Sequence, residues 1–281
     1  MTDVYGIFGW PVGHSRSPAM HNAAFAALGL PAVYVPFAVH PDKLADAVRG
    51  VRALGLRGLN ITLPHKTNIM PLLDHVEPDA HAIGAVNTIY VEGERLCGTN
   101  TDAEGLARAL REAGVVLAGA RVTLLGAGGA ARASVVGLAR AGARSITVAA
   151  RRSSEAQALV AALAANLQTT ALRATASDST TLRAELAQTD LLVQATSATL
   201  DDAPGAEAFA AALPLSALPR AAVVTDLVYR PLETAVLRHA RREGLTTVDG
   251  LGMLLHQGAL AFERWTGRPA PLAVMRRALQ S

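Results

Sequence analysis

The stretch that most constrains the fold is residues 121–133, Arg-Val-Thr-Leu-Leu-Gly-Ala-Gly-Gly-Ala-Ala-Arg-Ala. Val122, Thr123, Leu124 and Leu125 form a short β-branched and apolar run, as in a parallel strand buried on both faces. Gly126, Gly128 and Ala131 follow at G-x-G-x-x-A spacing, and small residues from Ala130 onward open a helix. A strand, turn and helix of this kind suit a dinucleotide. Gly126 permits the tight turn, Gly128 lets backbone approach a diphosphate with no Cβ in the way, and Ala131 lets helix and strand pack closely. The helix N-terminus then offers N–H groups and a positive dipole end to phosphate oxygens. An ordinary βα turn is the competing reading; the flanking strand and helix favour the dinucleotide.

The next strand, over 145–149, bears on which dinucleotide. A site for NAD places Asp or Glu near the end of this strand to hold the ribose 2′-hydroxyl. Here the residues are Ala150, Arg151, Arg152 and Ser153. Two guanidiniums suit a 2′-phosphate, because the planar fork binds phosphate oxygens bidentately. A solvated basic turn is the alternative. NADP is therefore the expected cofactor.

At 281 residues the chain is long enough for two ordinary domains, and 51% hydrophobic against 17% charged residues supports a sizeable core. The formal charge of +3 is spread along the chain. No basic run with interleaved aromatics suggests nucleic acid. Cys97 is the single cysteine, so no intrachain disulfide forms and no cysteine metal site is spelled out. The opening residues lack a basic region followed by a long apolar run, and no apolar stretch reaches membrane-spanning length. The expectation is a cytoplasmic protein with no membrane partner; a homodimer is left open.

Read in order, the chain alternates strand and helix. Strands are expected over 4–8, 33–39 and 59–63, and helices over 17–28 and 42–54. Ser17 is expected as N-cap of the first helix, with Pro18 at its first position. A short helix over 79–83 and a hairpin of 87–91 with 95–97 follow. A helix over 103–113, capped by residues 99–102, ends this first mainly parallel unit. Further strands are expected over 170–174, 191–194, 223–227 and 246–249, and helices over 234–243, 253–266 and 270–279. Residues 197–214 read as a loop with a short helix. The tail after about Asp249 is expected to pack back on the first unit. This gives domains 1–102 plus 250–281, and 103–249.

Four polar clusters lie outside the dinucleotide turn: His14 to Ser17, Asn60 to Thr62 leading to Lys66, Asn87 with Thr88, and Asn100 to Asp102. All fall near strand ends, where open α/β sheets bind ligands. Hydroxyls, amides, a lysine and a carboxylate together fit a small polyhydroxylated acid. Lysine is used only at Lys43 and Lys66, which suggests that ammonium chemistry matters at Lys66. Lysine can give and take a proton; arginine cannot. A surface lysine at a helix start is the bland alternative, and for Asp102 it is a helix N-cap. His14, His65 and His256 have no metal-ligand spacing, and loop or packing roles are expected for them.

The stretches Val-Tyr-Gly-Ile-Phe-Gly-Trp-Pro-Val-Gly-His-Ser-Arg-Ser-Pro, Asn-Ile-Thr-Leu-Pro-His-Lys, Gly-Ala-Val-Asn-Thr, Gly-Thr-Asn-Thr-Asp, Gly-Ala-Gly-Gly-Ala-Ala-Arg-Ala, Asp-Leu-Val-Tyr-Arg-Pro and residues 249–267 together resemble the shikimate dehydrogenase family. The resemblance spans 4–267, with the motifs in family order. It implies a Rossmann-like NADP-binding domain and an α/β substrate domain completed by C-terminal helices. It further implies NADPH-dependent reduction of 3-dehydroshikimate to shikimate in aromatic amino-acid biosynthesis. Lys66 and Asp102 would be the catalytic pair. Ser15, Ser17, Thr62, Asn87, Tyr229 and Gln257, with Asp102, would hold substrate. Gly126, Ala127, Gly128, Gly129, Ala130, Ala150, Arg151, Arg152, Leu227, Gly250 and Met253 would line the cofactor site, with no metal. The family's Asn-Arg-Thr stands here as Ala150, Arg151 and Arg152. Its Asn-Ala-Thr-Ser-x-Gly loop runs here from Gln194 to Thr199, and Thr196 and Ser197 are left outside the site. The rival readings are a quinate/shikimate paralogue and a non-catalytic NADP-binding regulator; keeping both Lys66 and Asp102 argues against the latter.

Overall fold

A computed structural model describes residues 2–201 and 203–280, with no side-chain placement for Ser179. The chain separates into two compact units, Met1–Gly105 with Leu254–Ser281, and Leu106–Met253. Both breaks fall inside helices, a few residues beyond the 102/103 and 249/250 positions read from sequence.

The first unit runs β1 (Asp3–Gly9), α1 (Ser17–Ala27), β2 (Ala32–Ala38), α2 (Leu44–Ala53), β3 (Gly58–Ile61), β4 (His75–Val76), α3 (Pro78–Ile83), β5 (Thr88–Glu92) and β6 (Arg95–Thr99), then enters α4 (Asp102–Glu112). Its sheet order is β2-β1-β3-β5-β6-β4. β1 pairs in parallel with β2 and β3. The β5–β6 hairpin inserts antiparallel beside β3, and β4 closes the edge parallel to β6. The sheet is thus mainly parallel, with β5 as the one strand running against its neighbours. β4 was not expected from sequence, since two residues carry no periodicity. β3 is buried along its whole length, and Leu59 and Ile61 pack there with Phe8, Ile89 and Leu96.

The second unit continues β7 (Arg121–Leu125), α5 (Gly129–Arg140), β8 (Ser145–Ala150), α6 (Ser153–Ala164), β9 (Ala171–Ala176), α7 (Ser179–Leu186), β10 (Leu191–Gln194), α8 (Ala206–Ala212), β11 (Val223–Asp226), α9 (Ala235–Arg242) and β12 (Thr246–Val248). Its order is β12-β11-β10-β7-β8-β9, with every pair parallel. The chain leaves β7 toward β8 on one side and returns to β10 on the other. Such a reversal opens a crevice at the strand C-termini where dinucleotides bind.

The last helices, α10 (Leu251–Thr266) and α11 (Leu272–Gln280), carry the tail to the first unit. Arg16 donates to the Leu279 carbonyl at 2.6 Å. The Trp265 indole donates to the Ile89 carbonyl at 2.9 Å, and Arg264 pairs with Glu77. Beneath them His21 stacks on Tyr34 with ring centroids 4.5 Å apart, and Phe25, Phe262 and Trp265 surround it.

Candidate active site

In the first unit the polar clusters gather along one edge of the sheet, at the C-terminal ends of β1, β3 and β6 and the N-terminal end of the antiparallel β5. The loop after β1 carries Ser15, and the turn after β3 carries Thr62 and Lys66. These two turns are joined: the Thr62 N–H donates to the Phe8 carbonyl at 2.9 Å, and the Trp10 N–H to the Leu63 carbonyl at 3.0 Å. The Val86 N–H donates to the Lys66 carbonyl at 2.8 Å, which ties the lysine's backbone to the approach to β5.

Lys66 Nζ donates to Asp102 Oδ2 at 2.6 Å, and the side chains are 17% and 5% exposed. Lys66 is therefore neither at a helix start nor on open surface. Asp102 Oδ1 accepts from Asn87 Nδ2 at 2.8 Å. That amide is fixed from its other end, because Asn87 Oδ1 accepts from the Thr101 N–H at 2.8 Å and from the Thr88 hydroxyl at 2.9 Å. Asn87 Nδ2 also lies 3.3 Å from Gln257 Oε1 and 2.9 Å from Thr101 Oγ1. Lys66, Asp102, Asn87 and Gln257 thus form one hydrogen-bonded cluster from four separated stretches of chain.

Two capping expectations are corrected. α1 starts at Ser17 with Arg16 at the cap position, so Ser17 lies inside the helix rather than capping it. The Ser15 hydroxyl instead accepts from the Ser17 N–H at 3.3 Å. Asp102 does not cap α4 either. Asn100 Oδ1 accepts from the Asp102 and Ala103 N–H groups at 3.0 and 3.4 Å, which leaves both Asp102 oxygens for Lys66 and Asn87.

Gly105 was not singled out in the sequence. A Cβ there would sit 2.7 Å from Gln257 Cβ and 2.8 Å from its backbone nitrogen. The glycine lets α4 and α10 approach closely enough to bring Gln257 to Asn87. A glycine inside a helical run, which costs about 1 kcal/mol relative to Ala, was the available signal. Thr101, Thr88 and Asn100 were noted only as members of clusters; their bracing roles depend on pairing that spacing does not reveal.

His65 Nε2 lies 2.8 Å from the Val39 carbonyl and is fully buried, a packing role as expected. Among the described residues no group of three His, Cys, Asp or Glu side chains could hold a metal.

In the second unit the glycine turn joins β7 to α5. Gly126 has φ +113°, a conformation L side chains rarely adopt, and a Cβ there would press on Thr196 Cγ2 at 3.0 Å and the Ala195 carbonyl at 3.2 Å. At Gly128 a Cβ would meet nothing within 4 Å. Gly128 caps α5 in extended conformation, and Gly129 and Ala130 begin the helix whose first N–H groups lack intrahelical partners. Ala131 is fully buried against the strand. Ala127 lies between the two glycines of a turn that is open at Gly128 and leads into a helix N-terminus, which fits a diphosphate.

Ala150 ends β8 in the core, and Arg151 and Arg152 follow it, exposed. Arg152 pairs with Glu155 of the next helix. Leu227 follows β11, its N–H donating to the Gln194 carbonyl at 2.9 Å. A Cβ on Gly250 would sit 2.6 Å from the Leu227 carbonyl oxygen, so these two packed segments need a glycine. Met253 is buried in the first turn of α10, and Tyr229 lies between β11 and α9.

Three family models match the chain. Residues 7–89 match a shikimate dehydrogenase substrate binding domain, residues 107–228 a shikimate/quinate 5-dehydrogenase domain, and residues 250–280 a shikimate 5'-dehydrogenase C-terminal domain. A shikimate dehydrogenase (NADP(+)) of Geobacter metallireducens is 48% identical over 277 residues, covering 98% of this chain and 95% of that protein. Among solved structures, shikimate 5-dehydrogenase of Listeria monocytogenes in complex with shikimate and NAD superposes with a TM-score of 0.88 at 37% identity, covering 99% and 96% of the two chains. Quinate dehydrogenase of Corynebacterium glutamicum in complex with NAD reaches 0.87 at 32% identity, covering 99% of each.

Proposed function

The chain belongs to the shikimate dehydrogenase family of NADP-dependent oxidoreductases acting on a CH–OH group, and from that premise we propose that Lys66 and Asp102 carry the proton step in reducing 3-dehydroshikimate to shikimate. The observation that supports this is the Lys66–Asp102 pair at 2.6 Å, set at the strand ends and braced by Asn87.

Bound NADPH would supply the hydride. Hydride arriving at a ketone carbon leaves negative charge on the oxygen, which must be neutralised. The Lys66 ammonium polarises that oxygen and then gives it a proton, and the neutral amine takes the proton back in the oxidative direction. Asp102 holds the ammonium by charge and hydrogen bond. Asn87 holds Asp102, and Thr101 and Thr88 fix which way the Asn87 amide points. Ser15 and Ser17 are assigned to the substrate carboxylate, and Thr62 and Gln257 to its other polar groups, alongside the cluster that Gln257 already joins.

The first unit is assigned to substrate and the second to cofactor. The turn from Gly126 to Ala130 would hold the diphosphate, Arg151 and Arg152 the 2′-phosphate, and Ala150, Leu227, Gly250 and Met253 the rest of the dinucleotide. The single, buried Cys97 supports a cytoplasmic location; no helix among the described residues is long and apolar enough to cross a membrane.

Quinate oxidation with NAD is the second reading, favoured by the fit to the Corynebacterium enzyme. One assay separates the two: shikimate or quinate is mixed with NADP or NAD, and absorbance of the reduced cofactor is followed. Turnover of shikimate with NADP well above the other three pairings is expected; faster turnover of quinate with NAD overturns the assignment.

A further inference from the structure

Among the described residues two acids are buried, Asp102 and Asp226. The mechanism uses the first and has no task for the second. Asp226 ends β11, directly opposite Gln194 at the end of β10. Four donors from four places in the fold converge on its carboxylate. Oδ1 accepts from Gln194 Nε2 at 3.2 Å and from the Val228 N–H at 3.0 Å. Oδ2 accepts from the Thr199 hydroxyl at 2.9 Å and the Thr234 hydroxyl at 2.7 Å. All four donors are neutral. Burial pushes the Asp226 carboxyl up to about 6, against the pull of these hydrogen bonds.

What Asp226 grips is the rim of the strand-end crevice. Gln194 also accepts from the Thr196 N–H at 2.6 Å and donates to the Thr196 carbonyl and the Thr199 hydroxyl at 3.1 and 2.9 Å. Loop 195–199 is thereby pinned at both ends. That loop walls the glycine turn, since Thr196 and Ala195 are the atoms nearest a Cβ at Gly126. On the other side the Val228 N–H fixes the segment between Leu227 and Tyr229, and the Leu227 and Val228 carbonyls lie against Gly250. Thr234 caps α9 through the Leu237 N–H while donating to Asp226. A carboxylate without a cation is a costly way to hold a fold. Its particular capacity is to accept from four donors at once.

We propose that Asp226 is a positioning residue for cofactor binding: its carboxylate sets loop 195–199 against the glycine turn and fixes the segment bearing Leu227 and Tyr229. This rests on the reading of Gly126 to Ala130 and Leu227 as dinucleotide contacts. Asparagine at 226 keeps the shape and one acceptor oxygen, so the Gln194 and Val228 bonds can persist. Its amide nitrogen then faces the two threonine hydroxyls, which lose their acceptor. Thr199→Val removes the loop side of the node alone.

The test is NADPH binding by fluorescence titration of the full chain, with thermal unfolding of the same proteins without cofactor. Asp226→Asn and Thr199→Val are each expected to melt cooperatively and to raise the NADPH Kd by about three- to tenfold. The double variant is expected to bind no more weakly than the worse single, because Thr199 acts through Asp226. A merely structural role would move the melting temperature and leave the Kd of the folded protein unchanged, and that result overturns the proposal. Should Asp226→Asn not fold, Thr199→Val decides by the same criterion. Failure of the unaltered protein to bind NADPH would instead overturn the functional reading on which the proposal rests.

Discussion

Among the described residues each unit buries one carboxylate at the C-terminal edge of its sheet, and the two are provided for differently. Asp102 in the first unit has a cation, Lys66, at 2.6 Å and an amide on its other oxygen. Asp226 in the second has four neutral donors and no ion pair among the described residues. A group that must hold an ammonium needs a charged partner beside it and a path for the proton, and Lys66 keeps partial exposure. A group that only fixes loops can be sealed in among dipoles, at the cost of a carboxyl pushed up to about 6. With the roles proposed above, the difference is that between a proton-handling site and a shape-holding one within one kind of α/β edge.

The largest test of this contrast is Lys66→Ala. It should cut kcat by about 10²–10⁴-fold, with NADPH binding retained, read by steady-state kinetics and fluorescence titration. Lys66→Arg should rescue poorly, since guanidinium keeps the charge but is a very weak proton donor. Asp102→Ala should also lower kcat, and the double variant should cost less than the two singles summed. Near-normal kcat in Lys66→Ala would erase the contrast, leaving both carboxylates structural.

On the second unit, replacing Arg151 and Arg152 with neutral residues should weaken NADP binding by about tens-fold, on the scale of charge-assisted hydrogen bonds, and leave NAD binding little changed. Equal losses for the two cofactors would remove the 2′-phosphate assignment. Because Arg152 already pairs with Glu155, the single Arg151 variant should show the larger share.

A smaller effect is expected at the serines. Ser15→Ala and Ser17→Ala should raise KM for shikimate more than they lower kcat, as loss of uniform binding does. Only Ser15→Ala should also cost stability, about 1 kcal/mol by analogy with a lost cap, because its hydroxyl holds the Ser17 N–H. An unchanged KM in both variants would take the loop after β1 out of the site.

The smallest effect is in the pH dependence of stability. His21 is fully buried, and burial pushes it down to about 3 against an opposing pull from Asn60. Below its ordinary value of 6.5 the unfolded chain holds a proton that the folded chain lacks, so stability falls as pH drops toward 3. Asp226 works in the opposite sense. Between 6 and its ordinary 3.8 the folded chain holds the extra proton, so stability rises as pH drops through that window. Each group contributes at most about 1.4 kcal/mol per pH unit. Urea unfolding from pH 7 to 5 should therefore show a steeper acid loss in Asp226→Asn than in the unaltered protein. Parallel curves would mean that Asp226 is not the raised carboxyl.

By itself the sequence determined the elements whose signals are local. β7, the glycine turn and α5 were legible because each position has its own steric reason, and Gly126 at φ +113° requires the residue found there. The two arginines after β8 are a local signal of another kind, cations where an NAD site would place an acid, and Lys66, Asp102, Asn87 and Gln257 were reached through the family motifs. Tertiary structure alone decided the contacts that join distant stretches. Whether Asp102 caps its helix or holds Lys66 depends on Asn100 taking the cap bonds. The meeting of Gln257 with Asn87 depends on the bare Cα of Gly105. Asp226, read only as part of a strand and of the Asp-Leu-Val-Tyr-Arg-Pro motif, became a node because β10 and β11 lie in register and Thr199 and Thr234 fold back over it. Hydrogen bonds between residues far apart in the chain leave no periodicity in it; the fold supplies their partners.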